Sequence, residues 1–112
     1  MGQGNNNVAK AIINQVNSHM HLMVYGEFIQ APQARLARKL TSLLPETLNC
    51  VYFVNSGAEA TDGALKLAKR VTGRSKIVAC RTAYHGSTHA ALSLHSEEVY
   101  KNRLRPLLPD IH

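Results

Sequence analysis

Two polar clusters carry the residue types with which this chain could do chemistry. The first is Asn55-Ser56-Gly57, which follows an apolar run and precedes a segment of helical spacing. Such a turn presents backbone N–H groups at a helix N-terminus, where an anion, most often a phosphate, binds. The second is residues 81–88, with hydroxyl, phenol and imidazole side chains around Gly86. These clusters predict a site for an anionic ligand, although for the turn alone a capped helix that binds nothing is the alternative.

Other kinds of site fit the sequence less well. A nucleophile elbow needs glycines two residues before and after the serine, where this chain has Val54 and Ala58. A Walker loop is also absent. His85 and His89 lie four residues apart but without the glutamate of a zinc-protease motif, and no cysteine–histidine cluster has structural zinc spacing. We therefore predict no metal site.

The elements that must position the two clusters form a strand–helix–strand unit. Residues 50–54 and 76–80 are short apolar runs typical of buried strands, and residues 58–72 have helical periodicity. Ser56 is the expected N-cap, Glu59 completes a capping box, and Gly73 is the expected residue after the helix C-terminus. Because a helix crossover joins parallel strands, both clusters should lie at the carboxyl edge of one small sheet, where α/β proteins bind ligands.

The remaining elements are predicted to be helical. Residues 8–16 form an amphipathic helix capped by Asn7, residues 31–44 form a second helix with Pro32 in its first turn, and residues 88–94 form a short helix. Residues 97–104 are expected to add a further helical turn or two. We divide the chain into an N-terminal helix and interface loop over residues 1–30 and the start of a larger α/β domain over residues 31–112.

Composition excludes several functional classes. The 112 residues carry a net charge of +6, but the basic residues are scattered and aromatic side chains are few, which argues against a nucleic-acid surface. No apolar run approaches membrane-spanning length and no signal peptide is recognisable, so the protein is expected to be cytoplasmic. Cys50 and Cys80 are predicted to be reduced thiols in the core.

The two clusters and the helix between them resemble the class III aminotransferases of the ornithine and acetylornithine type. The motifs are residues 53–60 (FVNSGAEA), 63–69 (GALKLAK) and 83–88 (AYHGST). Residues 19–28 and 105–109 also look like segments of that family, so the resemblance covers most of the chain. It implies a pyridoxal-phosphate enzyme of fold type I, of which this chain is an N-terminal fragment: part of the three-layer α/β large domain, with helices around a parallel strand pair.

The resemblance implies a role for each matching residue. Ser56, Gly57 and Ala58 match the turn that holds the phosphate of pyridoxal 5′-phosphate. Tyr84 matches the aromatic residue that stacks on the cofactor ring, with His85 and Gly86 beside it. The resemblance also implies that Tyr25 and Phe28 line the substrate side of the pocket, near a dimer interface.

The departure from the family concerns catalysis. Members supply a Schiff-base lysine and an aspartate for the pyridine nitrogen, and none of the six lysines here lies in such a context. We predict no catalytic residue in this segment and no transamination by the isolated chain. The complete enzyme would transfer an amino group from an amine or amino acid to an oxo acid or aldehyde. The alternative is a non-catalytic structural module, and in either case exposed apolar edges predict a homo-oligomer.

Overall fold

The computed structural model describes residues 2–23, 26 and 28–112, which form two compact units, Met1–Val51 and Tyr52–His112. The first unit contains helices α1 (Asn6–His19) and α2 (Ala31–Thr41). The second contains α3 (Gly57–Thr72), α4 (His89–Ser93) and a 3-10 helix (Glu98–Tyr100). None of the described helices has the length and apolarity that crossing a lipid bilayer requires.

Helix α1 begins two residues before the apolar pattern does. The expected cap Asn7 is wrong: Asn5 is the cap, and its side-chain oxygen accepts hydrogen bonds from the backbone N–H groups of Asn7 and Val8 at 3.0 and 3.3 Å. The apolar period could not mark this start because the whole first turn is asparagine-rich. The neighbouring asparagines are also equally good caps by residue type.

Helix α2 is shorter than predicted. It ends at Thr41, and the N–H groups of Leu43 and Leu44 bond to carbonyls only three residues back, as in a tightened last turn. Pro45 explains the early end, because a proline pushes the residue before it out of helical geometry. None of the described residues of this first unit is buried.

The predicted parallel pair of strands is not found in the described part of the chain. Residues 50–54 have no regular secondary structure there. Residues 76–80 pair instead with the end of the chain, through a parallel bridge between Ile77 and Ile111. The N–H of Ile77 donates to Asp110 at 2.9 Å, and the N–H of Ala79 donates to His112 at 2.8 Å. A strand needs a hydrogen-bonded neighbour, and local residue type does not say which segment supplies it.

The buried core of the second unit is small and lies in and just after α4. Ala91, Leu92 and Leu94 are its buried apolar residues, with Ser93 and His95 buried beside them. Helix α4 packs against α3. Cys50 and Cys80 are free, as predicted, but both are exposed, so their assignment to the core is wrong.

An ion pair ties the 3-10 helix to the segment that follows it. The Arg105 guanidinium donates to the Glu98 carboxylate at 2.6 Å and lowers the pKa of that carboxyl below its usual value. The pair is exposed, so it adds little to the stability of the fold.

Candidate functional site

The N-terminus of α3 is built as its sequence predicts. Ser56 caps the helix, and its Oγ accepts the N–H of Glu59 at 3.2 Å. The Glu59 carboxylate reaches back one residue further than in a standard capping box and accepts the N–H of Asn55 at 2.8 Å. Gly73 ends the helix in the left-handed conformation, with φ of 67°.

Among the described residues, capping leaves three backbone N–H donors free at this end, those of Ser56, Gly57 and Ala58. The N–H groups of Gly57 and Ala58 precede the first intrahelical bond and find no acceptor within the described part of the chain. They lie at the positive end of a helix of 16 residues. Free amides at such a terminus form a binding position for an anion.

The loop of residues 84–88 lies directly against this terminus. Gly86 has φ of 122°, and a Cβ added there would lie 2.4 Å from the Cβ of Ala58. The loop is buried at Gly86, and only a residue without a side chain fits this approach. The Thr61 hydroxyl lies 3.2 Å from the carbonyl oxygen of His85 and 3.1 Å from that of Gly57. The sequence-predicted turn and loop are therefore brought together.

The Asp62 side chain of α3 forms hydrogen bonds to the loop and to helix α4. Its Oδ1 accepts the Thr88 hydroxyl at 2.8 Å and the N–H of Ala91 at 3.1 Å. The Asp62 carboxylate of α3 thereby caps α4. The loop of residues 84–88 is bonded to α3 at two places, at His85 through Thr61 and at Thr88 through Asp62. Sequence reasoning missed this role, since residues 62 and 88 are far apart along the chain.

An open cleft of about 720 Å³ lies where the turn and loop meet. Its lining residues are Gly57, Ala58, Thr61, Tyr84, His85, Gly86, Ser87 and Thr88. Five of the six residues predicted to bind the cofactor are among them, and the sixth, Ser56, is the cap just before Gly57. Thr61 was not predicted, and Ser87 and Thr88 were predicted only as part of the polar cluster of residues 81–88. The signal for Thr61 was available, because it lies one helical turn after Gly57 on the same face.

Two side chains give the cleft its character. Tyr84 is 68% exposed. Its hydroxyl lies 2.8 Å from the Ser87 Oγ, and this hydrogen bond restrains the orientation of the ring. The His85 ring Nε2 is buried and, among the described atoms, has no hydrogen-bond partner. A buried nitrogen without a partner costs about 1–3 kcal/mol, which a bound polar group would relieve.

The cleft contains no amine and no metal-binding cluster. Within the described part of the chain no lysine lines it. Over those same residues, no three histidine, cysteine or acidic side chains are grouped so as to hold a metal ion. Phe28 is exposed in the first unit, and Tyr25 lies outside the described residues. The arrangement can bind an anion and an aromatic ring, but among the described residues that line it there is no lysine amine.

Comparison with known proteins gives a consistent result. The family model for aminotransferase class-III matches residues 1–112. An acetylornithine aminotransferase of Methanothermobacter thermautotrophicus is 36% identical over 107 residues, which are 96% of this chain and 26% of that protein.

Two solved structures share the fold. An (S)-enantioselective omega-transaminase of Thermomicrobium roseum superimposes with a TM-score of 0.89 at 29% identity, over 99% of this chain and 26% of that one. A PLP-bound amine transaminase from an uncultivated Pseudomonas species has a TM-score of 0.87 at 24% identity, over 99% of this chain and 27% of its own, a likeness of fold alone. The chain therefore spans about a quarter of the length of these proteins.

Proposed function

The chain belongs to the class-III aminotransferase family, and we propose that it is the part of a pyridoxal-phosphate-dependent aminotransferase that holds the cofactor phosphate and stacks on its ring. The single observation that carries this proposal is the shared cleft. Free helix amides and an exposed tyrosine ring line the same open volume. The match of the whole chain to the class-III aminotransferase model agrees with the cofactor that the resemblance of the sequence implies.

The phosphate end of the site rests on the turn before α3. Gly57 and Ala58 offer two backbone N–H groups, and the positive end of the helix favours the dianion. The Ser56 Oγ accepts a hydrogen bond from Glu59, so its own hydroxyl proton remains available for donation to a phosphate oxygen. Three donors from three successive residues suit a phosphate group better than a carboxylate.

The ring end of the site rests on Tyr84. Its phenol ring would stack on the pyridine ring, while the bond to Ser87 restrains it from turning away. Gly86 brings the loop close enough to Ala58 for one small ligand to contact both segments.

We infer that these residues bind the cofactor and orient it, and we assign them no further role in the reaction. When bound, pyridoxal phosphate supplies an electron sink for reactions at the α-carbon of an amine. No lysine lines the cleft, so within the described residues nothing is present to form the Schiff base. We infer that the 112 residues alone do not catalyse transamination, and that the complete enzyme transfers an amino group from an amine or amino acid to an oxo acid or aldehyde. The substrate-side assignment of Tyr25 and Phe28 stays a prediction.

A second candidate is a non-catalytic module that associates through its apolar faces. The observation that favours it is the first unit, in which no described residue is buried. Its apolar side chains need a covering surface, and a second copy is the simplest one. The two candidates are compatible, because a homo-oligomer with a cofactor site satisfies both. We place either form in the cytoplasm, where the two exposed thiols stay reduced.

Titration with pyridoxine 5′-phosphate tests the half-site directly. This analogue has no aldehyde, so it cannot react with the six lysines of the chain. Calorimetry should show one saturable site that Tyr84→Ala weakens by about three- to tenfold, the contribution of one aromatic contact. Tyr52→Ala is the matched control, since Tyr52 is exposed and lies outside the cleft.

Equal affinity in the wild type and in Tyr84→Ala would contradict the proposed stacking role. With pyridoxal phosphate and an amino donor, we expect no release of oxo acid by any of the three proteins. Turnover by the wild type would show that a lysine of this segment does serve as the catalytic amine.

A further inference from the structure

His95 is a buried polar residue that the cofactor site as described does not use. It lies just after α4 and is 3% exposed. Its ring Nε2 accepts the backbone N–H of His85 at 3.0 Å. This bond joins the small core of the second unit to the loop that lines the cleft.

The ring of His95 also supports the tyrosine of that loop. The centroids of the His95 and Tyr84 rings are 4.8 Å apart, with an angle of 51° between the planes. The Tyr100 ring meets the same imidazole edge-on, with the ring centroids 5.7 Å apart. His95 therefore contacts two consecutive loop residues, one through its ring and one through a hydrogen bond.

The hydrogen bond requires one protonation state of the imidazole. A backbone N–H only donates, so Nε2 must carry a lone pair and the ring must be neutral with its proton on Nδ1. Protonation of Nε2 would place two donors face to face and break the contact. The restraint on the loop is thus conditional on pH.

We propose that His95 is the positioning residue that sets the Tyr84–His85 backbone against the N-terminus of α3, and so determines how tightly the cleft holds a phosphorylated aromatic ring. This inference rests on the proposed function for its ligand, but not for its structural part. The bond and the ring contact exist in the protein without any ligand. His95 acts through the loop and touches no reacting atom.

Several ionisable groups face His95 and set the context for its protonation. In the loop and the 3-10 helix these are Tyr84, His85 and Tyr100. Glu97 shares a small cleft with it. A second cavity that it lines also has Cys80, Arg81, Lys101, Arg105 and His112 in its walls.

Two substitutions separate the hydrogen bond from the ring. His95→Gln keeps an acceptor at about the distance of Nε2 and removes the ring, whereas His95→Phe keeps a ring and removes the acceptor. Amide hydrogen exchange of His85, followed by NMR, reads the bond without any ligand. We expect protection close to wild type in His95→Gln and about threefold to tenfold faster exchange in His95→Phe. The Leu92 amide, which bonds to the Thr88 carbonyl at 2.8 Å, reports whether α4 remains folded.

A pH series gives a second readout that needs no mutation. In the wild type, acidification should release the His85 amide before the Leu92 amide, and in His95→Gln the two should be released together. The affinity for pyridoxine 5′-phosphate should fall from the wild type to His95→Gln and should be lowest in His95→Phe.

An unchanged His85 exchange rate in His95→Phe, or simultaneous release in the wild type, would overturn the positioning role. If the wild type binds no pyridoxine phosphate, the proposed function fails, while the amide measurements still decide the role of His95.

Discussion

Gly86 and Ala58 approach each other more closely than any two residues with side chains can. The Cβ that an alanine would add at position 86 falls 2.7 Å from the Ala58 Cα and 2.4 Å from its Cβ. The backbone of the loop thus lies directly against residue 58 of helix α3. This contact between the loop and α3 requires that residue 86 have no side chain.

Gly86→Ala should separate the loop from the helix and destabilise the second unit by about 1–3 kcal/mol, from the clash and from the positive φ together. Urea unfolding measures the loss. Gly63→Ala is the control, since its added Cβ would meet only Tyr52 ring atoms at 3.6 and 3.8 Å and lies inside α3. That control should be neutral or stabilising by up to about 1 kcal/mol. A Gly86→Ala protein as stable as the wild type would show that the close approach is not required.

A carboxylate links helices α3 and α4 through hydrogen bonds. Helix α4 has five residues and is too short to be stable by itself. Asp62 supplies an acceptor to the first turn of α4, and Thr88 adds a second cap with its own hydroxyl. We expect the conformation of the loop of residues 84–88 to depend on these two caps.

Asp62→Ala should destabilise the second unit by about 2–3 kcal/mol, because the Thr88 hydroxyl and the Ala91 N–H both lose a charged acceptor. Asp62→Asn keeps an oxygen in place and should lose less than half of that. The free energy of unfolding from urea titration distinguishes them. Equal losses for the two variants would mean that the charge, and not the acceptor geometry, links the helices.

At the scale of the whole chain, many large apolar side chains of the described residues are exposed. Val8, Ile12, Ile13 and Val16 of α1 are all exposed, and Ile12 and Ile13 are 58% and 57% accessible. They repeat with helical spacing, so they form one face. A continuous apolar face of this kind marks an interaction surface.

We therefore expect the chain to form a dimer or higher oligomer, as measured by multi-angle light scattering. Replacing Ile12 and Ile13 together by glutamine should shift the population toward monomer, because the apolar area that association buries is lost. Gln15→Ala on the same helix is the control and should leave the association state unchanged. A monomeric wild type over the accessible concentration range would contradict the prediction.

Local signals were sufficient for some elements and insufficient for others. Helix α3 was predicted to within one residue, with its cap Ser56 and its end at Gly73, because capping and periodicity act over a few positions. The turn and the loop were also expected to converge, but the expectation rested on a parallel strand pair that is not found, and the close approach of Gly86 to Ala58 was not predicted. The pairing of residues 76–80 with the chain end, through Ile77 and Ile111, was not, since a β-ladder partner is chosen by the whole fold.

By itself the sequence determined where the helices lie to within a few residues, the capped turn before α3 and the family whose motifs the chain carries, because these depend on residues that are neighbours along the backbone. Only the tertiary structure decided that Asp62 caps α4 and that His95 holds the loop of Tyr84. It also decided that the predicted strands do not pair with each other. The physical reason is the same in each case: a hydrogen bond between distant residues depends on geometry that is set only when the chain has folded.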